Sequence, residues 1–184
     1  MRIVDIFASN KNREGQLFSV IYPDENGDYK ECEFERLLNL WTNVEYLRNY
    51  AIKNNIKYVY QFVKSRLKDV ERIENLIDEI FEQNEPLDIY FKQLWNSETG
   101  VKLLSLRKGK TSSKDGLRIF AIKIDDNCFL ITGGAIKMSQ KNDDHPDTKE
   151  EMKNINKVKH YLQENDVFDE DSFYELLIEI NYDE

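Results

Sequence analysis

Three short apolar stretches between positions 101 and 138 constrain the fold more than any other feature of this sequence. They read VKLLSLR, LRIFAIKI and CFLIT, and turn-forming residues separate them. Alternation of apolar and polar residues in the first two is typical of strands, and short turns connect antiparallel neighbours. We therefore expect an antiparallel meander of three or four strands here, with a bulge or a close backbone approach at Gly133 and Gly134.

Elsewhere the apolar residues recur at spacings of three and four, which is typical of amphipathic helices. Helices are predicted at residues 33–54, 59–84, 87–96, 148–162 and 166–181. Asp69 is a candidate cap for a new helix inside the second of them. Residues 3–8 and 17–22 predict an N-terminal hairpin.

The order of these elements indicates the α+β class. We expect a hairpin and helical region over residues 1–98, packed on a core of meander and C-terminal helices over residues 99–184, as one compact unit. The 40% hydrophobic content of the 184 residues is sufficient for such a core.

The charge of the chain is distributed unevenly. Residues 101–141 contain nine basic and three acidic residues, a net charge of +6, whereas the whole chain carries −9. The usual partner of such a basic island is phosphate. An acidic chain, with a pI of about 4.9, argues against a general nucleic-acid binder and favours one cationic patch on an otherwise repelling surface.

Composition also excludes some classes of protein. There is no run of about 18 apolar residues that could span a membrane, and the N-terminal stretch is too short for a secretory signal. We expect a cytoplasmic protein with no membrane partner. Cys32 and Cys128 form no CxxC pair and are expected to be buried reduced thiols. Two histidines do not easily complete a zinc site, so no metal is expected.

Short motifs occur in a definite order along residues 101–162. They are Leu-Arg at 106–107, Arg-Ile-Phe at 118–120, a turn at 125–127, an apolar strand at 128–132, Lys-Met-Ser-Gln-Lys at 137–141 and His-Tyr at 160–161. In order and spacing they resemble the RelE/HigB branch of bacterial toxin ribonucleases, in the RelE/ParE superfamily. Met138 replaces a second lysine of that family's pattern, and the first 95 or so residues exceed its usual two-helix start.

The resemblance implies a RelE-like core and an endoribonuclease that cleaves mRNA on the ribosome without a metal or another cofactor. An antitoxin protein would hold it inactive. Transfer of the phosphodiester to the neighbouring 2′-OH requires a base, an acid and cations around the developing charge.

The same resemblance implies roles for individual residues. Arg118 would hold the scissile phosphate through two donors, while Lys137 and Lys141 would stabilise charge or supply the base. Tyr161 would stack on a nucleobase or orient a proton, and His145 is a second acid–base candidate because histidine side chains in general titrate near neutral pH. The contacts with the RNA backbone would come from Arg107, Lys108, Lys110 and Lys123.

Each of these residues also has a plainer interpretation. Arg118 can pair with an acid of the last helix, and Lys137 and Lys141 can protect a sheet edge. His145 can be an ordinary loop residue, and Tyr161 can anchor its helix. Two other functions therefore stay open: a non-catalytic RelE-like binding protein of a phage or mobile element, and a ParE-like gyrase inhibitor. The oligomeric state is also open.

Overall fold

The computed structural model of the protein describes residues 1–6, 15–94, 104–111, 116–138 and 145–182. Within these ranges the chain forms six strands, five α-helices and a 3-10 turn at Leu87–Ile89. The strands are β1 (Arg2–Asp5), β2 (Gln16–Ile21), β3 (Lys92–Gln93), β4 (Ser105–Lys110), β5 (Leu117–Asp125) and β6 (Cys128–Ile136). The helices are α1 (Glu33–Thr42), α2 (Val44–Lys53), α3 (Val59–Glu82), α4 (Pro146–Glu164) and α5 (Glu170–Tyr182).

These strands form one mixed sheet in the order β1-β2-β6-β5-β4-β3. β1 and β2 are an antiparallel hairpin, and β3 to β6 are an antiparallel meander. β2 joins the two by pairing in parallel with β6. The predicted α+β class, hairpin and meander are thereby confirmed, and residues from both 1–98 and 99–184 contribute strands to the same sheet.

Helices cover both faces of this sheet, and successive residues of a strand point to opposite faces. On one side, which we name the α1–α3 face, Trp41 and Ile73 pack with Ile119. On the other, the α4–α5 face, Phe173 packs in a cluster with Phe120. Because both faces are covered, the central strands β5 and β6 are buried along almost their whole length.

The helix predicted over residues 33–54 is divided into α1 and α2 at Asn43. The backbone of Asn43 is extended, with φ −75° and ψ 106°, and its side-chain oxygen accepts a hydrogen bond from the Tyr46 amide at 2.9 Å. Asparagine is a favoured residue at such a helix start. The apolar spacing continues from Trp41 to Leu47 across the break, so the periodicity alone could not reveal it.

Asp69 does not begin a new helix, because α3 runs without interruption from Val59 to Glu82. Its carboxylate lies 2.9 Å from Nη2 of Arg66, and the two side chains are only 1% and 4% exposed. Residues three positions apart share one side of a helix. The polar residue that the sequence suggested as a cap is therefore the acidic partner of a buried ion pair on α3, and its other oxygen lies 3.5 Å from the exposed Arg72.

The helix predicted over residues 87–96 is wrong. The chain makes the 3-10 turn and then β3, and pairing of β3 with β4 provides the hydrogen bonds that a helix would otherwise supply. This path packs the ring of Tyr90 directly on Gly109, where an added Cβ would lie 2.1 Å from a ring carbon. Residues 95 and 96 lie outside the described ranges.

A bulge interrupts the pairing of β5 with β6 at the predicted place. Phe120 lies opposite Gly133, whereas the next residue, Ala121, lies opposite Ile131. An added Cβ on Gly134 would lie 2.6 Å from the carbonyl oxygen of Arg118. The glycines therefore let β6 approach β5 closely beside a predicted site residue.

The two predicted C-terminal helices correspond to α4 and α5. α4 begins with Pro146, and the Thr148 hydroxyl donates to the His145 carbonyl oxygen at 3.0 Å. Cys32 and Cys128 are free and buried, as expected. Among the helices of the described ranges, none has the length and apolar character that crossing a bilayer requires.

Candidate functional site

Four basic side chains lie on the α4–α5 face where β4 ends, β5 begins and β6 ends. In the β4–β5 register, Lys108 lies opposite Phe120 and Lys110 lies opposite Arg118. Residues that are paired in this way point to the same face of a sheet. Lys137 follows the last residue of β6. It lies two positions after Ala135 and therefore points to the same face as Ala135. We name these residues the cationic cluster: Lys108, Lys110, Arg118 and Lys137.

Both burial and the neighbouring charges affect the ionisation of Lys108. Burial lowers the pKa of its ammonium, and the positive charges of Lys137, Lys110 and Arg118 lower this pKa further. The Nζ atom donates a hydrogen bond to the Leu94 carbonyl oxygen at 2.7 Å. A larger fraction of Lys108 is therefore neutral at a given pH than of an ordinary lysine, and a neutral amine can accept a proton.

The members of the cluster differ in how well solvent reaches them. Arg118 is only 5% exposed, and its Nη1 donates to the Leu117 carbonyl oxygen at 2.8 Å. Lys137 is half-buried, with its amide bonded to the Gly116 carbonyl oxygen, and Lys110 is exposed. An approaching anion would meet the lysines first and Arg118 beneath them.

Arg107 and Lys123 lie on the opposite, α1–α3 face, and both contact Asp88. The Lys123 ammonium lies 2.8 Å from one Asp88 oxygen, and Arg107 lies 3.4 Å from the other. Burial works against the charge of Lys123, but hydrogen bonds with Asp88 and Asp126 outweigh it and raise its pKa. The structure thus separates these two predicted RNA contacts from the cationic cluster.

His145 and Tyr161 also lie apart from one another. His145 contacts α2 through Asn54, at 3.0 Å, and through the ring of Tyr50. Tyr161 packs at the edge of the core on the α4–α5 face; burial raises its pKa, and Tyr29 and Glu179 add to the effect. Lys141 lies outside the described residues. Of the predicted catalytic set, Arg118 and Lys137 are the two that the cluster contains.

A second polar group on the α4–α5 face was not anticipated from the sequence. Glu151 of α4 lies against Gly133, where an added Cβ would come within 1.9 Å of its Oε2. Its pKa is raised to about 8, first by burial and then by Glu33, while Arg36 opposes the shift. Arg36 donates to both oxygens of Glu33, at 2.7 and 2.8 Å. The expectation of a close backbone approach at Gly133 was the only sequence signal for this contact.

Replacing Glu151 with glutamine is expected to stabilise the protein above pH 5. The folded-state pKa of about 8 exceeds the ordinary value of 4.5, so the unfolded chain loses this proton first and stability falls as pH rises between the two values. Glutamine resembles the protonated form and removes this loss, which amounts to at most about 1.4 kcal/mol per pH unit. Urea unfolding at pH 5, 6, 7 and 8 measures the difference.

The exposed Glu150, one position earlier, is the control for this experiment. Glu150→Gln is expected to show no gain in stability that grows with pH. A Glu151→Gln variant whose unfolding free energy follows the wild type at every pH would show that Glu151 titrates normally.

Chemically, the cationic cluster combines positive charge with one amine that is able to accept a proton. This combination suits an anion that contains a phosphodiester. The polar group around Glu151 lies elsewhere on the same face and is dominated by carboxylates. Comparison of the chain with protein-family models, with curated proteins and with solved structures finds no match.

Proposed function

We propose that this protein binds RNA at the cationic cluster and cleaves its backbone by side-chain acid–base chemistry, as a RelE/HigB-like toxin. The observation that carries the proposal is the gathering of Lys108, Lys110, Arg118 and Lys137 at one end of the α4–α5 face. Two members of the cluster, Arg118 and Lys137, belong to the motifs that resemble those of the RelE/HigB family. The substrate would be mRNA on the ribosome, and an antitoxin would restrain the activity.

Positive charge at the cluster persists although the protein as a whole is acidic. Holding four like charges near each other costs free energy, and a bound phosphate would offset part of this cost. Lys110 and Lys137 would make the first contact with the RNA backbone. Arg118 would strengthen the field on the scissile phosphate from below.

Lys108 is the proposed base. Its neutral amine would take the proton of the ribose 2′-OH, and the 2′ oxygen would then form a bond with phosphorus. The bond between phosphorus and the 5′ oxygen would break as Lys137 donates a proton to that oxygen. The products would be a 2′,3′-cyclic phosphate and a 5′-hydroxyl end, and the lysines would provide both proton transfers.

Removing the two accessible lysines is expected to weaken RNA binding. In the variant with Lys110→Gln and Lys137→Gln, the slope of log K against log salt for a single-stranded RNA should decrease by about 1.4, since each lost phosphate contact contributes about 0.7. Growth arrest and transcript cleavage after induction in a bacterial host should decrease in parallel. Anisotropy titrations at several salt concentrations and RNA gels measure the two effects.

The control carries the same change in charge on exposed positions of another surface, Lys57→Gln with Lys64→Gln. This variant is expected to bind and cleave as the wild type does. Equal loss in both double variants would mean that net charge alone, not the cluster, attracts RNA. Arrest with intact transcripts but altered DNA supercoiling would replace the proposal by the gyrase-inhibitor alternative.

A second candidate function is RNA binding without cleavage. The burial of Arg118 favours it, because a residue that is only 5% exposed offers little surface to a phosphate group during its transfer. Purified protein that retains labelled RNA but releases no cyclic phosphate would support this candidate.

A further inference from the structure

A pocket of about 370 Å³ lies between α2 and the first residues of α4. Tyr46, Tyr50 and Lys53 line it from α2, and His145 and Asp147 line it from the other side. Pockets that bind small organic groups begin at about this volume and combine apolar walls with a few polar atoms. Neither Arg118 nor Lys137 lines this pocket.

The hydrogen bonds around His145 determine which of its two ring nitrogens is an acceptor. The Asn54 side-chain nitrogen donates to the Tyr50 carbonyl oxygen at 2.9 Å, which leaves Oδ1 of Asn54 directed to Nε2 of His145 at 3.0 Å. Because Oδ1 can only accept, Nε2 carries the hydrogen. Nδ1 of the neutral ring is therefore an unprotonated acceptor, and it is buried without a hydrogen-bond partner.

A second acceptor lies near Nδ1. Oδ2 of Asp147 lies 3.7 Å away, too far for a hydrogen bond. Two acceptors that face each other in a partly buried site favour a donor that contacts both, even though the Asp147 carboxylate already interacts with the Tyr50 hydroxyl. An N–H₂ group placed there would give one hydrogen to the imidazole of His145 and the other to the carboxylate of Asp147.

The remainder of the pocket is suited to a flat ring that carries such a group. The rings of Tyr46 and Tyr50 are 6.0 Å apart and form its aromatic wall, and aromatic side chains stack with unpaired bases. Lys53 supplies a positive charge at the rim. Tyr50 Oη also donates to the Ile136 carbonyl oxygen at 3.4 Å, so the pocket adjoins the end of β6, directly before Lys137 of the cationic cluster.

We infer that this pocket binds the unstacked base of a nucleotide with an exocyclic amino group, adenine or cytosine in preference to uracil. The ring would stack on Tyr46, and its amino group would bridge His145 and Asp147. That the base belongs to an RNA chain held at the cationic cluster rests on the proposed function; the chemistry of the pocket would be the same for a free nucleotide.

The experiment compares four labelled pentanucleotides at one salt concentration: oligo(A), oligo(C), oligo(U) and an abasic chain. The wild-type chain is expected to bind oligo(A) and oligo(C) about tenfold more tightly than oligo(U), since uracil lacks the bridging donor. Asp147→Ala should abolish this preference and leave binding of the abasic chain unchanged. Glu150→Ala, which removes a neighbouring exposed carboxylate of α4, should preserve the preference.

A second variant tests the pocket independently in case Asp147→Ala does not fold. A second kind of ligand, the mononucleotide, tests the pocket even if the protein does not bind RNA. Tyr46→Leu, at a half-buried position, should weaken binding of oligo(A), oligo(C) and oligo(U) but not of the abasic chain. Shifts of the tyrosine ring NMR signals on adding AMP or CMP, but not UMP, would support binding of a base in the pocket. If no oligonucleotide binds at the same time, only the proposed RNA function would be contradicted. Equal affinity for all four chains, with no shift from any mononucleotide, would overturn the inference and leave the cationic cluster standing.

Discussion

Replacing Lys108 with arginine is expected to lower the rate of RNA cleavage by about 10²–10⁴-fold while RNA binding is retained. Arginine preserves the positive charge, but its guanidinium does not release a proton near neutral pH. Lys108 is the cluster member whose protonated form is destabilised by burial and by three neighbouring cations. Single-turnover cleavage and equilibrium binding, measured on the same labelled RNA, separate the two effects.

The pH dependence of the rate provides a second readout for Lys108. The neutral amine is the active form, so the rate should rise with pH up to the pKa of Lys108, which lies below the ordinary 10.5, and should fall again once Lys137 has lost the proton that it donates. Lys110→Arg, at an exposed position, should keep both the rate and this profile. A Lys108→Arg variant that cleaves as fast as the wild type would remove Lys108 from the chemistry.

Replacing Asp69 with alanine is expected to reduce the free energy of unfolding by about 3–5 kcal/mol. The carboxylate lies 2.9 Å from Arg66 in an almost fully buried pair, and its loss leaves the guanidinium without this counter-charge on the buried side of α3. A domain of this size has a total stability of only about 5–15 kcal/mol. Urea unfolding followed by circular dichroism measures the change.

Asp78→Ala on the exposed side of the same helix is the matched control, because both replacements alter helix propensity equally. It is expected to change stability by no more than about 0.5 kcal/mol. Substituting Arg66→Met together with Asp69→Leu should restore most of the lost stability, since the pair is then replaced by apolar packing. Similar unfolding curves for Asp69→Ala and Asp78→Ala would show that the ion pair contributes little.

The sequence predicted the backbone best where apolar residues recur with a single spacing, either that of a strand or that of a helix. Alternation over β5 and a Gly-Gly pair in β6 predicted the meander and its bulge, because residues opposite one another are close in sequence there. It failed where a contact distant in the chain decides the backbone. Tyr90 packs on Gly109 and β3 pairs with β4. Neither contact produces a periodic pattern of apolar residues at positions 87–96.

Part of the site could be predicted from the alternation of side chains along a strand. Arg107 and Lys108 are neighbours in β4 and must point to opposite faces, so the basic island could never act as one surface. The sequence does not reveal on which face of the sheet an acidic residue lies close enough to neutralise a basic one. Asp88 neutralises Arg107 from a turn that was expected to be helical. The raised pKa of Glu151 likewise depends on contacts distant in the chain, first on burial and then on Glu33, a residue more than a hundred positions away.

The parallel pairing of β2 with β6 has a consequence for how the chain is made. Ser19 lies beside Ile131 in the finished sheet, so the ribosome must add about 110 further residues after the hairpin before its second neighbour exists. During that time one edge of the hairpin is open to other strands, and α1 has no completed sheet to cover. Such distant pairing slows folding and exposes edges that favour aggregation. The speed of translation between the two strands therefore sets how long each nascent chain remains vulnerable.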